Sequence, residues 1–142
     1  MVAGDFDSLM LKVRDAFERE GTCFRQDKNQ DTTDFDKSIH IIKQYESYHN
    51  VELGVVALGG LGGRVDQAFS SIHQLYKCLP HRDLFLLSRK SLTCLLPAGR
   101  NRIYASKKTF GPTCGILPTS GPTAITLQGF RWDLGIFYWD AF

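Results

Sequence analysis

The stretch Leu58-Gly-Gly-Leu-Gly-Gly-Arg-Val-Asp-Gln67 gathers four glycines, Gly59, Gly60, Gly62 and Gly63, beside a guanidinium (Arg64), a carboxylate (Asp66) and an amide (Gln67). It follows the apolar run Val55-Val-Ala-Leu58 and opens onto a helical stripe of Val65, Phe69, Ile72 and Leu75. Strand, glycine turn and helix is a layout that binds phosphate. Glycines let the backbone come close, and a helix N-terminus presents free N–H groups and partial positive charge. Two acidic segments accompany it, Gly4-Asp-Phe-Asp-Ser8 and Gln30-Asp-Thr-Thr-Asp-Phe35. Together the three segments point to an enzyme that handles a magnesium-bound polyphosphate. The glycines do not spell G-x-G-x-x-G, and no Gly-Lys-Ser/Thr follows them. Taken alone, they also read as a tight turn with no ligand.

Each acidic segment precedes a predicted helix. In an α/β sheet, ligands bind beyond the carboxyl ends of the strands, so all three segments are expected to face one crevice. Asp5 and Asp7 share one side if their segment is extended. Asp31 and Asp34 share one face of a first helical turn. Converging carboxylates without histidine or cysteine suit a hard, oxygen-seeking cation, which beside phosphate is magnesium. Helix capping is the alternative use of each pair.

The elements that must position these residues can be read from periodicity. Ser8 is placed to cap a helix with the stripe Leu9, Val13 and Phe17, stopped by Gly21. A short strand is expected at 22–25. Asp31 or Thr32 caps a helix with the stripe Phe35, Ile39, Ile42 and Tyr45. Residues 52–58 form a buried strand, 64–79 a third helix ended by Pro80, and 84–87 another strand. This alternation predicts an α/β domain over residues 1–90, a mostly parallel sheet flanked by helices. Over 91–142 the helical period disappears. Strand candidates at 92–96, 101–105, 115–118 and 124–127, separated by proline and glycine turns, predict an all-β, sandwich-like domain.

Composition narrows the classes. The 142 residues are 43% hydrophobic and 23% charged, enough for a packed core. A net charge of +2 gives no argument for nucleic acid or a membrane surface. No apolar run approaches the roughly 20 residues of a membrane helix. The N-terminus lacks a basic head and an apolar leader, so a cytoplasmic protein is expected. Cys23, Cys78, Cys94 and Cys114 contain no C-x-x-C pair and read as reduced thiols. The four histidines are equally scattered, and no Ser-His-Asp or Cys-His arrangement can be assembled.

The three segments, followed by the tail Thr126-Leu-Gln-Gly-Phe-Arg-Trp-Asp-Leu134, resemble in order and spacing the eukaryotic thiamine pyrophosphokinase (thiamine diphosphokinase) family. The resemblance implies an α/β catalytic domain followed by a β-sandwich, acting as a homodimer with thiamine held near the subunit interface. It implies that ATP gives its terminal pyrophosphoryl group to thiamine, leaving AMP. It places Asp5, Asp7 and Asp34 around magnesium and the ATP phosphates. Arg64, Asp66 and Gln67 fall in the glycine loop, with Arg64 suited to stabilise charge on the transferred group. Gln30 and Trp132 fall on the thiamine side, where an indole face under a cationic thiazolium is worth about 0.5–2 kcal/mol. On residue type alone, Trp132 reads rather as a core aromatic of the sandwich.

Against that family pattern the chain reads as shortened at both ends. An upstream Asp-Gly-Gly-Ala-Asn-Arg type motif has no counterpart, and the closing Ser-x-Ser-Asn type strand is replaced by the aromatic Gly135-Ile-Phe-Tyr-Trp-Asp-Ala-Phe142. Two other functions stand beside the kinase reading. One is an inactive fragment that only binds thiamine or dimerises. The other is a different magnesium-dependent nucleotide enzyme, for which the tryptophan motif offers no reason.

Overall fold

The computed structural model describes residues 1–106 and 108–139, which fall into two compact units divided after Asn101. The first unit runs β1 (Val2–Gly4), α1 (Leu11–Arg19), β2 (Phe24–Gln26), α2 (Asp34–His49), β3 (Val55–Leu58), α3 (Val65–Cys78), β4 (Leu84–Leu87) and β5 (Leu92–Cys94). Strand β1, which the periodicity did not single out, pairs in parallel with β2 across α1, and β3 pairs in parallel with β4 across α3, as the alternation predicts. Strand β5 adds to β4 in antiparallel fashion.

Spacing explains the core. Ile39 of α2, Leu75 and Cys78 of α3, and Leu84 and Leu86 of β4 are buried, and Phe35, Ile42, Val55, Ala57 and Leu61 pack against them. Leu86 is fully enclosed, a burial worth about 1.5–3 kcal/mol for a side chain of this size. In α2 the spacing Phe35, Ile39, Ile42 lays one stripe on this core. In α3 the buried positions are Ser71, Gln74, Leu75 and Cys78. Val65 and Phe69 are exposed, so the first turn of α3 stands clear of the core.

Local chemistry shifts the helix starts from the expected residues. Phe6 adopts a left-handed φ of 65°, and the Leu9 N–H donates to the Phe6 carbonyl, which puts Ser8 in a turn. Met10 becomes the N-cap of α1, with no side-chain hydrogen bond. Helix α2 is capped by Thr33 rather than Asp31 or Thr32. Its hydroxyl accepts the Asp36 N–H while the Asp36 carboxylate accepts the Thr33 N–H, a reciprocal capping box.

The second unit contains one antiparallel pair among its described residues, β6 (Thr123–Leu127) with β7 (Leu134–Trp139), with an irregularity between Ile125 and Leu127. The candidate strands at 101–105 and 115–118 are irregular chain. The aromatic ending, which matched no expected element, supplies β7 up to Trp139. Phe142 lies outside the described residues. The order of an α/β unit followed by a β unit holds.

Candidate active site

The first acidic segment is held where β1 ends. Gly4 is buried with φ +155°, a conformation that other residues rarely adopt, and a Cβ there would stand 3.0 Å from the Asp34 carboxylate, so a side chain would strain the backbone and press Asp34 aside. The Asp5 N–H donates to Asp34 Oδ1 at 3.2 Å, and Lys37 Nζ reaches the same oxygen at 3.2 Å. Asp5 Oδ1 accepts the Asp7 N–H at 3.1 Å and Asp5 Oδ2 the Gln30 amide at 3.2 Å. The Gln26 side chain donates to the Asp5 carbonyl at 2.8 Å, tying β2 to the same turn. The Asp7 N–H first, then the Gln30 amide, hold the Asp5 carboxyl below its ordinary value.

Asp5, Asp34 and Gln30 are therefore brought together. The left-handed Phe6 breaks the extended segment that was expected to align Asp5 with Asp7. Asp7 meets Asp5 through its main chain, and its side chain is exposed. Asp31 lies outside the helix, where its main-chain N–H donates to Asn29 Oδ1 at 2.8 Å.

The glycine loop continues β3. The Gly59 N–H extends the ladder to the Leu87 carbonyl at 2.8 Å, and Gly59 and Gly63 both take φ +78°. Gly60 lies against Ser71 and Leu86. This turn delivers Arg64 to the N-cap of α3, where it grips Asp66 in a bidentate pair of 3.0 and 2.5 Å. The pairing raises the Arg64 pKa and lowers that of Asp66. Both side chains are largely exposed, as is Gln67, whose carbonyl accepts the Ser71 hydroxyl. In the second unit Trp132 lies on the β6–β7 connection, 75% exposed, with the Arg131 guanidinium 4.9 Å from its ring centroid. It is not a core aromatic here.

Two supporting residues went unread in the sequence. Lys37 is buried beneath Asp34. Asp36 joins the α2 cap to Gln74 at 2.8 Å and to Lys77, linking the acidic turn to α3. Burial pushes the Asp36 carboxyl up, but hydrogen bonds from Lys77, Gln74 and Thr33 outweigh it and hold the carboxyl far below the ordinary range. Neither residue type announces such a role; only the pairing across elements shows it.

The donors at the acidic turn are oxygens, which fits magnesium. Among the described residues no three His, Cys, Asp or Glu side chains form a ready-made cage. The arrangement suits the usual magnesium habit of one or two carboxylates completed by phosphate and water.

The sequence matches the catalytic-domain model of thiamin pyrophosphokinase over residues 1–87 and the vitamin B1 binding domain model of the same family over residues 100–137. Thiamine pyrophosphokinase 2 of Arabidopsis thaliana is 36% identical over 138 residues, covering 94% of this chain and 51% of its own length. Thiamine pyrophosphokinase 3 of Oryza sativa subsp. japonica is 33% identical with the same coverage. The chain thus spans about half the length of the curated relatives it matches. The thiamin pyrophosphokinase from Candida albicans superposes with a TM-score of 0.55 at 23% identity, over 63% of this chain and 42% of that one, a likeness of fold. With the catalytic-domain match alone taking in more than half of its residues, this chain belongs to the thiamin pyrophosphokinase family.

Proposed function

We propose that this chain carries thiamine diphosphokinase chemistry: the hydroxyethyl oxygen of thiamine bonds to the β-phosphorus of ATP, the bond from that phosphorus to the α-phosphate oxygen breaks, and AMP and a proton are released. The observation that carries the reading is the Asp5–Asp34 pair at the start of α2, in the same unit as a glycine loop that delivers Arg64 to the start of α3. Both lie past the carboxyl ends of parallel strands, where α/β sheets bind their ligands. Asp5, Asp7 and Asp34 would hold magnesium, which would supply charge neutralisation on the polyphosphate. Gly59, Gly60, Gly62 and Gly63 give the phosphates a close backbone approach. Arg64 stabilises charge that develops on the transferred group, with Asp66 fixing its direction, and Gln67 adds a polar contact. A thiamine contact is assigned to Gln30 in the first unit and, separately, to the exposed indole of Trp132 in the second. A homodimer in the cytoplasm belongs to the same reading. Among the described residues no helix is long and apolar enough to cross a membrane.

The test is product analysis with Mg-ATP and thiamine. Thiamine diphosphate and AMP are expected in equal amounts. ADP with thiamine monophosphate would overturn pyrophosphoryl transfer, and thiamine binding without turnover would reduce the chain to a binding role.

A further inference from the structure

Lys37 sits one turn along α2 from Asp34. Its side chain is 4% exposed, while that of Asp34 is 59% exposed, and its Nζ lies 3.2 Å from Asp34 Oδ1. An ammonium is taken out of water only where a carboxylate compensates it, so Asp34 is what keeps this lysine folded inward. The pair it supports is already well supplied with donors. Asp34 Oδ1 takes both Lys37 and the Asp5 N–H, and both Asp5 oxygens are occupied by Asp7 and Gln30. Asp34 Oδ2 has no donor among the described residues. With Asp7 counted, three carboxylates and one ammonium leave the turn with a net charge of −2. A bare divalent cation that needs about six oxygens finds both Asp5 oxygens and Asp34 Oδ1 already shared with hydrogen-bond donors, and a positive charge 3.2 Å from Asp34 Oδ1. A cation carrying phosphate oxygens brings its own ligands, and Lys37 attracts their charge.

We propose that Lys37 is a positioning residue that reserves the Asp5–Asp34 pair for a divalent cation arriving as its polyphosphate complex, and holds off the bare cation. The inference rests on the polyphosphate reading above. It extends that reading to the form in which the metal enters.

Manganese is a suitable probe, because it shares the charge and oxygen preference of magnesium and broadens nearby amide resonances. Residues 1–142 would be titrated with MnCl2 alone and with Mn-ATP while the Gly4 and Asp5 amides are followed. In the wild-type chain, Mn-ATP should broaden them at concentrations about tenfold or more below those needed for MnCl2, as expected for an added like charge at contact distance. Lys37→Met should admit bare manganese about tenfold more readily and erase the difference. Lys37→Arg should keep it. Equal titrations in the wild-type chain would overturn the proposal without recourse to any variant. So would an unchanged MnCl2 titration in Lys37→Met, or in Lys37→Gln should the methionine variant fail to fold. If Mn-ATP has no effect on the wild-type chain while Lys37→Met still admits bare manganese, the polyphosphate reading falls and the exclusion of the bare cation stands.

Discussion

Asp7 and Trp132 divide the proposed chemistry between two side chains of opposite character. Asp7 is an exposed carboxylate at the acidic turn, and Trp132 an exposed indole on a β connection. Asp7→Asn should depress turnover at every thiamine concentration, because charge stabilisation and positioning carry phosphoryl-type transfer. Trp132→Ala should act mainly on the thiamine KM. Steady-state kinetics on both variants decides it: a KM effect confined to Asp7→Asn, with the thiamine KM untouched in Trp132→Ala, would reverse the assignment. Asp36 acts instead on stability. Its folded value lies below the ~3.9 of an unfolded aspartate. The ionised group therefore stabilises the fold above about pH 4, and this contribution fades as pH falls toward the folded value. Asp36→Asn should cost about 1–2 kcal/mol at neutral pH, the worth of a charge-assisted hydrogen bond or two. The gap to wild type should narrow progressively below about pH 4 in urea titrations. A gap that widened on acidification would contradict the sign.

Helix α2 is held at both ends by charge. Its start carries the capping box, and near its C-terminal end Glu46 takes Arg82 in a bidentate pair of 3.1 and 2.6 Å and the Leu53 N–H at 2.9 Å. The two side chains are only 4% and 12% exposed. Glu46 thus ties α2 to the turn leading into β3 and to the turn before β4, fixing the elements beneath the glycine loop. Arg82→Met alone should lower the urea midpoint more than the double change Glu46→Leu with Arg82→Met, because an unpartnered carboxylate in a confined place is worse than an apolar replacement. A double variant no more stable than the single would show that the unpartnered Glu46 carboxylate carries no such penalty. Much of this level was legible in the sequence, since the stripe Phe35, Ile39, Ile42 and the run Val55–Leu58 are local patterns. What was not legible depended on partners far along the chain. Met10 replaced Ser8 as a cap because Phe6 turns left-handed, and β7 is a strand only because β6 pairs with it. Lys37 follows the same logic. Nothing in its neighbours says which side of α2 it takes, whereas the acidic turn itself could be read from Gly4, Asp5 and Asp34.

The whole molecule has two units of unequal build. The first wraps helices over paired strands around an enclosed Leu86, while the second offers one two-stranded pair among its described residues, with Trp132, Ile136 and Tyr138 exposed. A lone antiparallel pair is marginal in water, and exposed apolar side chains of this size invite a covering surface, which agrees with the proposed homodimer. The irregular chain around the division contains Arg100 and Arg102, both exposed, whereas Lys37 and Arg82 of the first unit are buried. A protease that cuts after basic residues needs several residues of extended, accessible backbone, so it must wait for local opening at the buried sites but not at the division. Brief trypsin treatment followed by mass spectrometry should therefore show cleavage after Arg100 or Arg102 at least about tenfold faster than after Lys37 or Arg82, the buried sites being governed by the rare open form. If cleavage after Lys37 or Arg82 kept pace, the first unit would lack the packing that holds the acidic turn and the glycine loop in one body. The site proposed for polyphosphate transfer would then lose the rigid elements on which its positioning depends.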